Sequence, residues 1–329
     1  MHLLVIVSLV SLVSLASLGA CTREPGPTVS RAAAGEGSGP GGVDSDSAAD
    51  GSGVVPVGPR SWADPITRVA DLDVVRSGVE LTDAARFGEV LIMAGQQQGQ
   101  DGGLWRYDLS YPDAPRLTGR SSVWHAQRVC ISSPDWAWAT ERNGRLVPYD
   151  ISGDTPQPSG AVNGGGWDYG LDCTGDRIAW GEGERGGVVA TLDGAAVRDP
   201  LRLDGEVIDL MLDGDRLWVV SSDGLEAVDL STGAPVVEGS VALPGYCADV
   251  AWVGGLLAIA CGAGGVSLVD PGDGTPTLLG TWRGHASARR VSAAGDGHVL
   301  VAAWAELLLL DVRDPASPHL VGSEPAQSS

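Results

Sequence analysis

The sequence of 329 residues contains no lysine, so its 21 fixed basic side chains are all arginines, against 42 acidic residues. The resulting net charge of −21 at pH 7 argues against a nucleic-acid binder, because phosphate binding needs a basic footprint. Long helical runs of Ala, Glu and Leu are also missing, whereas glycine (48) and proline (20) are abundant. This composition favours short strands joined by turns.

The sequence also lacks the short motifs that mark common catalytic and metal sites. It contains no G-x-S-x-G, H-E-x-x-H or Walker pattern, and no CxxC or HxxxH pairing of the zinc-binding kind. The segment "DPGDGT" (Asp270 to Thr275) fits a tight turn better than a calcium loop, because it lacks the spaced carboxylates and terminal Glu of such a loop. We therefore predict no catalytic residues, no metal and no cofactor.

The N-terminus is an apolar stretch, Leu3 to Leu18, that is short for a membrane span of ~20 residues. It ends in small residues, as signal peptides do. Its last four residues, "LGAC" (Leu18 to Cys21), resemble the bacterial lipobox. That resemblance implies that residues 1–20 are removed and that Cys21 carries a lipid. Position 22 is Thr and not Asp, which favours the outer membrane of the cell envelope as the location.

Residues 21–60 are dominated by Gly, Pro, Ser and Ala and show no apolar period. Such a composition is typical of a disordered tether. We expect this segment, beginning at the lipidated Cys, to connect the membrane anchor to a folded domain at residues 61–329.

An apolar strand that stops at an aspartate recurs along this domain, followed by a turn and then by a glycine ten or eleven residues after the aspartate. Most copies also carry a proline in the turn, and a degenerate copy spans Gly186 to Leu203. Upstream of each copy lie a further apolar strand and a weaker one. A period of about 41 residues with four short strands is the signature of a β-propeller blade. The five clear copies have their key aspartates at Asp108, Asp150, Asp229, Asp270 and Asp311.

The predicted fold class is therefore all-β, a propeller of four-stranded antiparallel blades. Six blades are expected, with seven as the alternative, because Asp64 to Asp71 reads either as an outer strand that closes the ring or as part of a seventh blade. The predicted blades span residues 79–120, 121–162, 163–203, 204–241, 242–282 and 283–324.

The repeats "VSLVDPGDGTP" and "LLLLDVRDPASP" resemble the LVIVD repeat family of bacterial surface and secreted propellers. The resemblance covers residues 79 to 324. It implies the architecture and supplies no catalytic set.

Four cysteines remain after Cys21, and an oxidising compartment permits disulfides. Cys247 and Cys261 flank one turn almost symmetrically, which favours a bridge within a blade. Cys130 and Cys173 hold equivalent positions in adjacent blades, so a bridge is possible if their Cα atoms lie within ~7 Å. Buried free thiols are the alternative for both pairs.

One face of the propeller should carry the binding residues. The connections between blades and the turns between the second and third strands meet on this face, which also receives the longest insertion, Gly95 to Gly103. Aromatic and charged side chains together suit recognition of a protein or a polysaccharide. The alternative for each aromatic is packing between blades. The candidate residues are Trp124, His125, Trp167, Asp168, Tyr246, Arg283 and His285.

Two functions are compatible with these observations. The first is a non-enzymatic binding or scaffold protein, anchored to the membrane by its lipid and presenting this face to an envelope protein or polysaccharide. The second is a periplasmic or surface enzyme, a hydrolase or a quinone-dependent enzyme, with its site at the channel mouth. An enzyme should gather carboxylates or histidines with shifted pKa values around the channel, which a scaffold need not do.

Overall fold

The computed structural model describes residues 5–6, 68–70, 79–97, 100–111, 114–123, 125–163, 170–284, 286–295, 297–303 and 306–325. All regular structure within these ranges is β-strand. Two short strands, β1 (Val5–Ile6) and β2 (Arg68–Ala70), pair in parallel. The lipidation candidate Cys21 and the tether lie outside the described residues.

The other strands form six antiparallel sheets that follow one another along the chain, and consecutive strands are neighbours in each. The first sheet contains β3 (Val79–Phe87), β4 (Val90–Gln97), β5 (Gln100–Asp108) and β6 (Arg116–Val123). The second contains β7 (Ala126–Ser133), β8 (Trp136–Glu141), β9 (Arg145–Asp150), β10 (Gln157–Pro158) and β11 (Val162–Asn163). The third contains β12 (Leu171–Thr174), β13 (Arg177–Gly181), β14 (Gly187–Asp193) and β15 (Ala196–Leu203). The fourth sheet contains β16 (Asp209–Asp213), β17 (Arg216–Ser221), β18 (Gly224–Asp229) and β19 (Val236–Val241). The fifth contains β20 (Asp249–Val253), β21 (Leu256–Ala260), β22 (Val266–Asp270) and β23 (Thr277–Trp282). The sixth contains β24 (Ala288–Ala293), β25 (His298–Ala303), β26 (Glu306–Asp311) and β27 (His319–Pro325). In the second sheet β10 and β11 both pair with β9 and share the outer position.

The first strands of neighbouring sheets contact one another around a common axis: β3 with β7, then β12, β16, β20 and β24 in turn. The sheets are therefore the blades of a six-bladed propeller, and the first strand of each blade is its inner strand. This confirms the predicted fold class and blade number. The seven-blade alternative is wrong, because β27 fills the outer position of the last blade. The segment expected to close the ring instead contributes β2, which pairs with β1.

Apolar side chains fill the spaces between adjacent blades, which explains why each strand is apolar on both faces. The cluster between blades five and six, for example, joins Leu268 and Trp282 to Val291 and Leu308. Trp138 and Trp218 are fully buried in equivalent second strands. Face-to-face stacking of blades removes both surfaces of each sheet from water, so alternation with polar residues is weak.

The aspartate that ends each repeat caps the turn to the outer strand. Its carboxylate accepts a hydrogen bond from the backbone N–H two residues later, as in Ser110 to Asp108 at 2.9 Å and Ser231 to Asp229 at 2.8 Å. Asp150, Asp270 and Asp311 accept the same bond. Short polar side chains of this kind replace a backbone acceptor in tight turns. These bonds explain why each repeat has an aspartate at the end of its third strand.

In three of the five clear copies, the repeated glycine lies where the capped turn of the next blade touches the outer strand. A Cβ atom on Gly239 would lie 2.6 Å from the carbonyl oxygen of Gly274, and one on Gly280 would lie 3.0 Å from the Cα of Ala316. Gly119 makes the equivalent approach to the second blade. Only glycine allows this contact, so the spacing of aspartate and glycine in the sequence encodes how one blade docks on the next.

The insertion at Gly95 to Gly103 was expected to form a loop, and the structure differs. β4 continues to Gln97 and β5 begins at Gln100, and these two residues are paired. The insertion therefore extends the two middle strands of the first blade as a hairpin, because its residues continue the ladder instead of breaking it.

Candidate functional site

Five charged residues from five different blades converge at the axis, near the ends at which the inner strands begin. We call them the axial network: Asp83, Arg128, Asp209, Asp249 and Arg290. The first four are only 5–8% exposed, and the Arg290 side chain is 18% exposed. The third blade has Gly170 in place of a charged residue, where a Cβ atom would lie 2.7 Å from Asp209.

Arg128 crosses the channel to reach blades on its other side. Its guanidinium donates to Asp209 Oδ1 at 3.3 Å and lies 3.6 Å from Asp249 Oδ1. Arg290 donates to the same Asp249 oxygen at 3.0 Å and to the carbonyl of Ala248 at 3.3 Å. These buried side chains thus meet at the axis, where the two arginines offset most of the charge of the three aspartates.

Each carboxylate of the network also holds the next blade. The remaining oxygens of Asp83, Asp209 and Asp249 accept the backbone N–H groups of Val129, Val250 and Val291, at 2.9, 3.1 and 2.7 Å. In the third blade, Asp172 makes an equivalent bond to Leu212 at 2.7 Å from a position two residues further along its strand. The network therefore links neighbouring inner strands as well as opposite sides of the ring.

Burial controls the pKa values of this network. Desolvation raises the pKa of Asp209 to about 7, although Arg128 opposes it, and the nearby Asp249 adds to the rise. Desolvation likewise raises the pKa of Asp83. Burial alone would lower the pKa of Arg128, but the surrounding carboxylates outweigh it and raise that pKa. Carboxylates with raised pKa values at the channel mouth were the feature proposed to distinguish an enzyme, and here their oxygens are occupied by structural contacts.

The axial network was not among the predicted site residues. A signal was available, since a charged residue lies within or at the start of an apolar inner strand in "TDAA", "IDLM", "ADVA", "AQRV" and "ARRV". A charged residue is not expected in a strand that is buried on both faces, because burying an unpaired charge is costly. This position belongs neither to the repeated third strand nor to the connections between strands, which carry the clearest sequence signals.

Of the predicted binding residues, His125, Tyr246 and Arg283 are described, and they lie at the upper rim, the end of the propeller at which the inner strands begin. Trp124, Trp167, Asp168 and His285 lie outside the described residues. His125 lies just before β7 with a φ of 50°, and its carbonyl accepts the N–H of Arg142 from the turn after β8. Tyr246 is 56% exposed in the connection to the fifth blade, and Arg283 is exposed in the connection to the sixth.

The four cysteines form two pairs. Cys130 of β7 is bonded to Cys173 of β12, with 5.9 Å between their Cα atoms, so this bridge links the second and third blades. Cys247 and Cys261 are bonded just outside β20 and β21, at the upper rim. The second bridge fixes the loop that carries Tyr246.

The described residues contain no group of three or more His, Cys, Asp or Glu side chains arranged to hold a metal ion. They also contain no helix of the length and hydrophobicity that crossing a membrane would require.

Comparisons with known proteins support the fold alone. No protein-family profile matches the sequence, and no curated protein matches it. Among solved structures, the chain is similar to the WD40 repeats of RRP9, with a TM-score of 0.59 at 12% identity over 75% of this chain and 81% of that chain. It is similarly close to U3-55K, with a TM-score of 0.58 at 12% identity over 75% and 82% of the two chains. Saccharomyces cerevisiae Sqt1 gives a TM-score of 0.53 at 10% identity over 75% and 85%. The fold and site define a six-bladed β-propeller with a charged, self-paired axial network.

Proposed function

We propose that this protein is a lipid-anchored propeller of the bacterial cell envelope that binds a partner through its upper rim, without catalysing a reaction. The observation that carries this proposal is the closure of the axial network. Arg128 lies across the channel mouth, and the carboxylates around it are bound both to arginines and to backbone N–H groups of the next blade. The groups exposed at this end of the described structure therefore lie on the rim.

The rim carries features that suit recognition. Tyr246 is exposed on a loop whose next residue, Cys247, is buried and bridged to Cys261. Holding an aromatic side chain in place before the partner arrives reduces the entropy lost on binding. Tyrosine and arginine are the residue types most often found at the energetic centre of interfaces. The envelope location and the membrane partner rest on the "LGAC" sequence at Cys21.

A test of the binding face uses a photo-crosslinking amino acid placed at Tyr246 in the full-length protein in cells. Val237 is the matched control, because it is 57% exposed against 56% for Tyr246 and lies on the outer strand of the fourth blade. We expect a crosslinked species with Tyr246 and none with Val237. Crosslinking from Val237 alone would contradict the proposed binding face and would indicate that the partner binds the outer edge of the blades.

Lipid anchoring is tested at Cys21. In cells fed an alkyne-bearing fatty acid, we expect the protein to take up the label and to partition into the detergent phase. Cys21→Ser should remove the label and release the protein, because a thioether cannot form on a hydroxyl side chain. Retention of the label in this variant would contradict the proposal.

The axial network also bears on the enzyme alternative, a hydrolase or quinone-dependent enzyme with its site at the channel mouth. The raised pKa of Asp209, about 7, is what a general acid or base needs near neutral pH. The Asp209 side chain is, however, only 7% exposed, and its carboxylate is bound to Arg128 and to the N–H of Val250. An activity lost in Asp209→Asn while the folded structure persists would favour the enzyme over the binding protein.

A further inference from the structure

The contact between the third and fourth blades departs from the repeat. In the outer strand of the third blade, Leu201 pairs with Val189 of β14. In the fourth blade the same row of the sheet, which crosses the third residue of the second strand, pairs Gly239 with Ala227. A leucine therefore stands where the repeated glycine would be. Because only glycine lets the turn of the next blade dock closely on the outer strand, the turn of the fourth blade cannot approach β15 in the same way.

A cavity of about 140 Å³ lies at this contact. One side of it is formed by the residues that directly follow Leu201, and the other side by the face of the fourth blade and by Pro235 of its turn. Between the fourth and fifth blades the equivalent proline, Pro276, lies 3.3 Å from the position of a Cβ atom on Gly239. The cavity thus takes the place of a contact that the fourth and fifth blades make.

The wall of this cavity is mostly apolar. It includes Leu203 and Val207 from the third-blade side and Val219 and Val228 from the fourth blade, each at most 5% exposed. Val237, which is exposed, also lines the cavity and marks its opening to solvent. In proteins an apolar cavity of roughly 150 Å³ is large enough for one benzene molecule. This cavity therefore has room for a single ring or for a branched alkyl group of similar size.

The charge in the wall is negative. The carboxylates of Glu226, which is half-buried, and Asp204, which is exposed, make no hydrogen bond or ion pair within the described part of the chain. Arg202 also lines the cavity, but its guanidinium donates at 2.7 Å to Glu182, whose side chain is 2% exposed. The arginine is thus neutralised and the two carboxylates are not. This arrangement favours a cationic ligand and opposes an anionic one.

We propose that this cavity binds a small primary amine that carries one compact apolar group. The apolar group fills the space between Leu203 and Val228, and the ammonium group pairs with Glu226. Burial of the apolar group provides most of the favourable free energy, whereas the ion pair selects a cation over neutral and anionic molecules of the same shape. The site does not involve Tyr246, so it is independent of the binding face proposed above.

The test measures binding of two amines, benzylamine and isoamylamine, to the full-length protein by ligand-observed NMR titration at low ionic strength. We expect both to bind. Benzyl alcohol has nearly the same shape as benzylamine but no charge, and it should bind about fivefold more weakly, the effect of losing a partly exposed ion pair. Benzoate should bind more weakly still, because its carboxylate is repelled by Glu226 and Asp204.

Two variants locate the site. Glu226→Gln should weaken benzylamine binding about fivefold and leave benzyl alcohol binding unchanged, because only the charge is removed. Glu324→Gln is the matched control, since Glu324 is also half-buried but lies on the outer strand of the sixth blade, and it should change neither. Val228→Phe should abolish binding of both molecules by filling the cavity. If this larger side chain prevents folding, the comparison of Glu226→Gln with Glu324→Gln still tests the proposal.

Failure of both amines to bind the parent protein would overturn the proposal. Equal losses in Glu226→Gln and Glu324→Gln would also overturn it, because they would show attraction to the net charge of −21 and not to a site. Equal binding of benzylamine and benzyl alcohol to the parent would reject an amine as the ligand. None of these results would alter the crosslinking expected from Tyr246, so failure here is distinguishable from failure of the proposed function.

Discussion

Replacement of Arg128 by Met is expected to lower the free energy of unfolding by about 3–5 kcal/mol at pH 8, the loss typical of removing one partner from a buried ion pair. Met fills a similar volume, so the loss of packing is small. The variant leaves Asp209 and Asp249 buried without the cation that crosses the channel to reach them. Chemical denaturation followed by tryptophan fluorescence would measure the change.

The pH dependence of this loss separates an electrostatic effect from a packing effect. Without Arg128 the carboxylates can escape their unfavourable burial by taking up protons, so the destabilisation should be smaller at pH 5 than at pH 8. Arg185→Met is the control, because Arg185 is exposed on the same face, and a change within about 0.5 kcal/mol is expected. If the Met variant fails to fold, Arg128→Lys can replace it. Lysine keeps the positive charge but cannot contact both aspartates as a guanidinium does, so the free energy of unfolding of this variant should lie between those of the parent and Arg128→Met. A loss independent of pH would mean that Arg128 acts through packing alone.

The blade architecture was predictable because it is encoded locally. Each key aspartate caps its own turn through a residue two positions away, and the repeated glycines Gly119, Gly239 and Gly280 are each required by a close contact with the next blade. Such signals recur at a fixed period, so a single sequence reveals them. The same logic placed Cys130 and Cys173 at equivalent positions in adjacent blades, and the structure brings their Cα atoms to 5.9 Å.

The axial network could not be assembled in the same way. Arg128 and Asp209 are 81 residues apart, and they meet only because the ring of blades brings opposite sides of the channel together. Their individual positions were readable as charged residues at the start of apolar strands. Their pairing depends on the blade number and on Arg128 pointing across the axis, and neither follows from the period of the repeat. The sequence therefore pointed to the rim, whereas the buried carboxylates whose pKa values are raised by desolvation lie at the axis.

A second large effect is expected in the pH dependence of stability. Burial raises the pKa of Asp209 to about 7, so the folded protein holds a proton there that the unfolded chain, with an ordinary pKa of 3.8, has released. A raised pKa of this kind contributes stability that is fully present below about pH 4 and is lost as the pH rises through 7. Asp83, whose pKa burial also raises, acts in the same direction.

The aspartates of the turns act in the opposite direction. Hydrogen bonds from Ser110 and Ser152 lower the pKa values of Asp108 and Asp150, so the stability they contribute is lost as the pH falls below about 4. We therefore expect the free energy of unfolding to be greatest between about pH 4 and 5 and to decline towards pH 8. The decline due to Asp209 is at most roughly 4 kcal/mol, from the difference between its folded and unfolded pKa values.

Asp209→Asn isolates the contribution of this residue, because the amide cannot ionise and can still accept a hydrogen bond from Val250. The variant should show a shallower decline between pH 5 and pH 8 than the parent protein. Part of the decline should remain, since Asp83, Asp249, Arg128 and Arg290 face the same space and the net charge of −21 adds repulsion as the pH rises. Asp135→Asn, on an exposed turn at the opposite end of the propeller, should leave the slope unchanged. If the free energies of unfolding of the parent and Asp209→Asn fell in parallel between pH 5 and pH 8, the Asp209 carboxylate would have to stay ionised throughout. Its attraction to Arg128 would then compensate its burial completely.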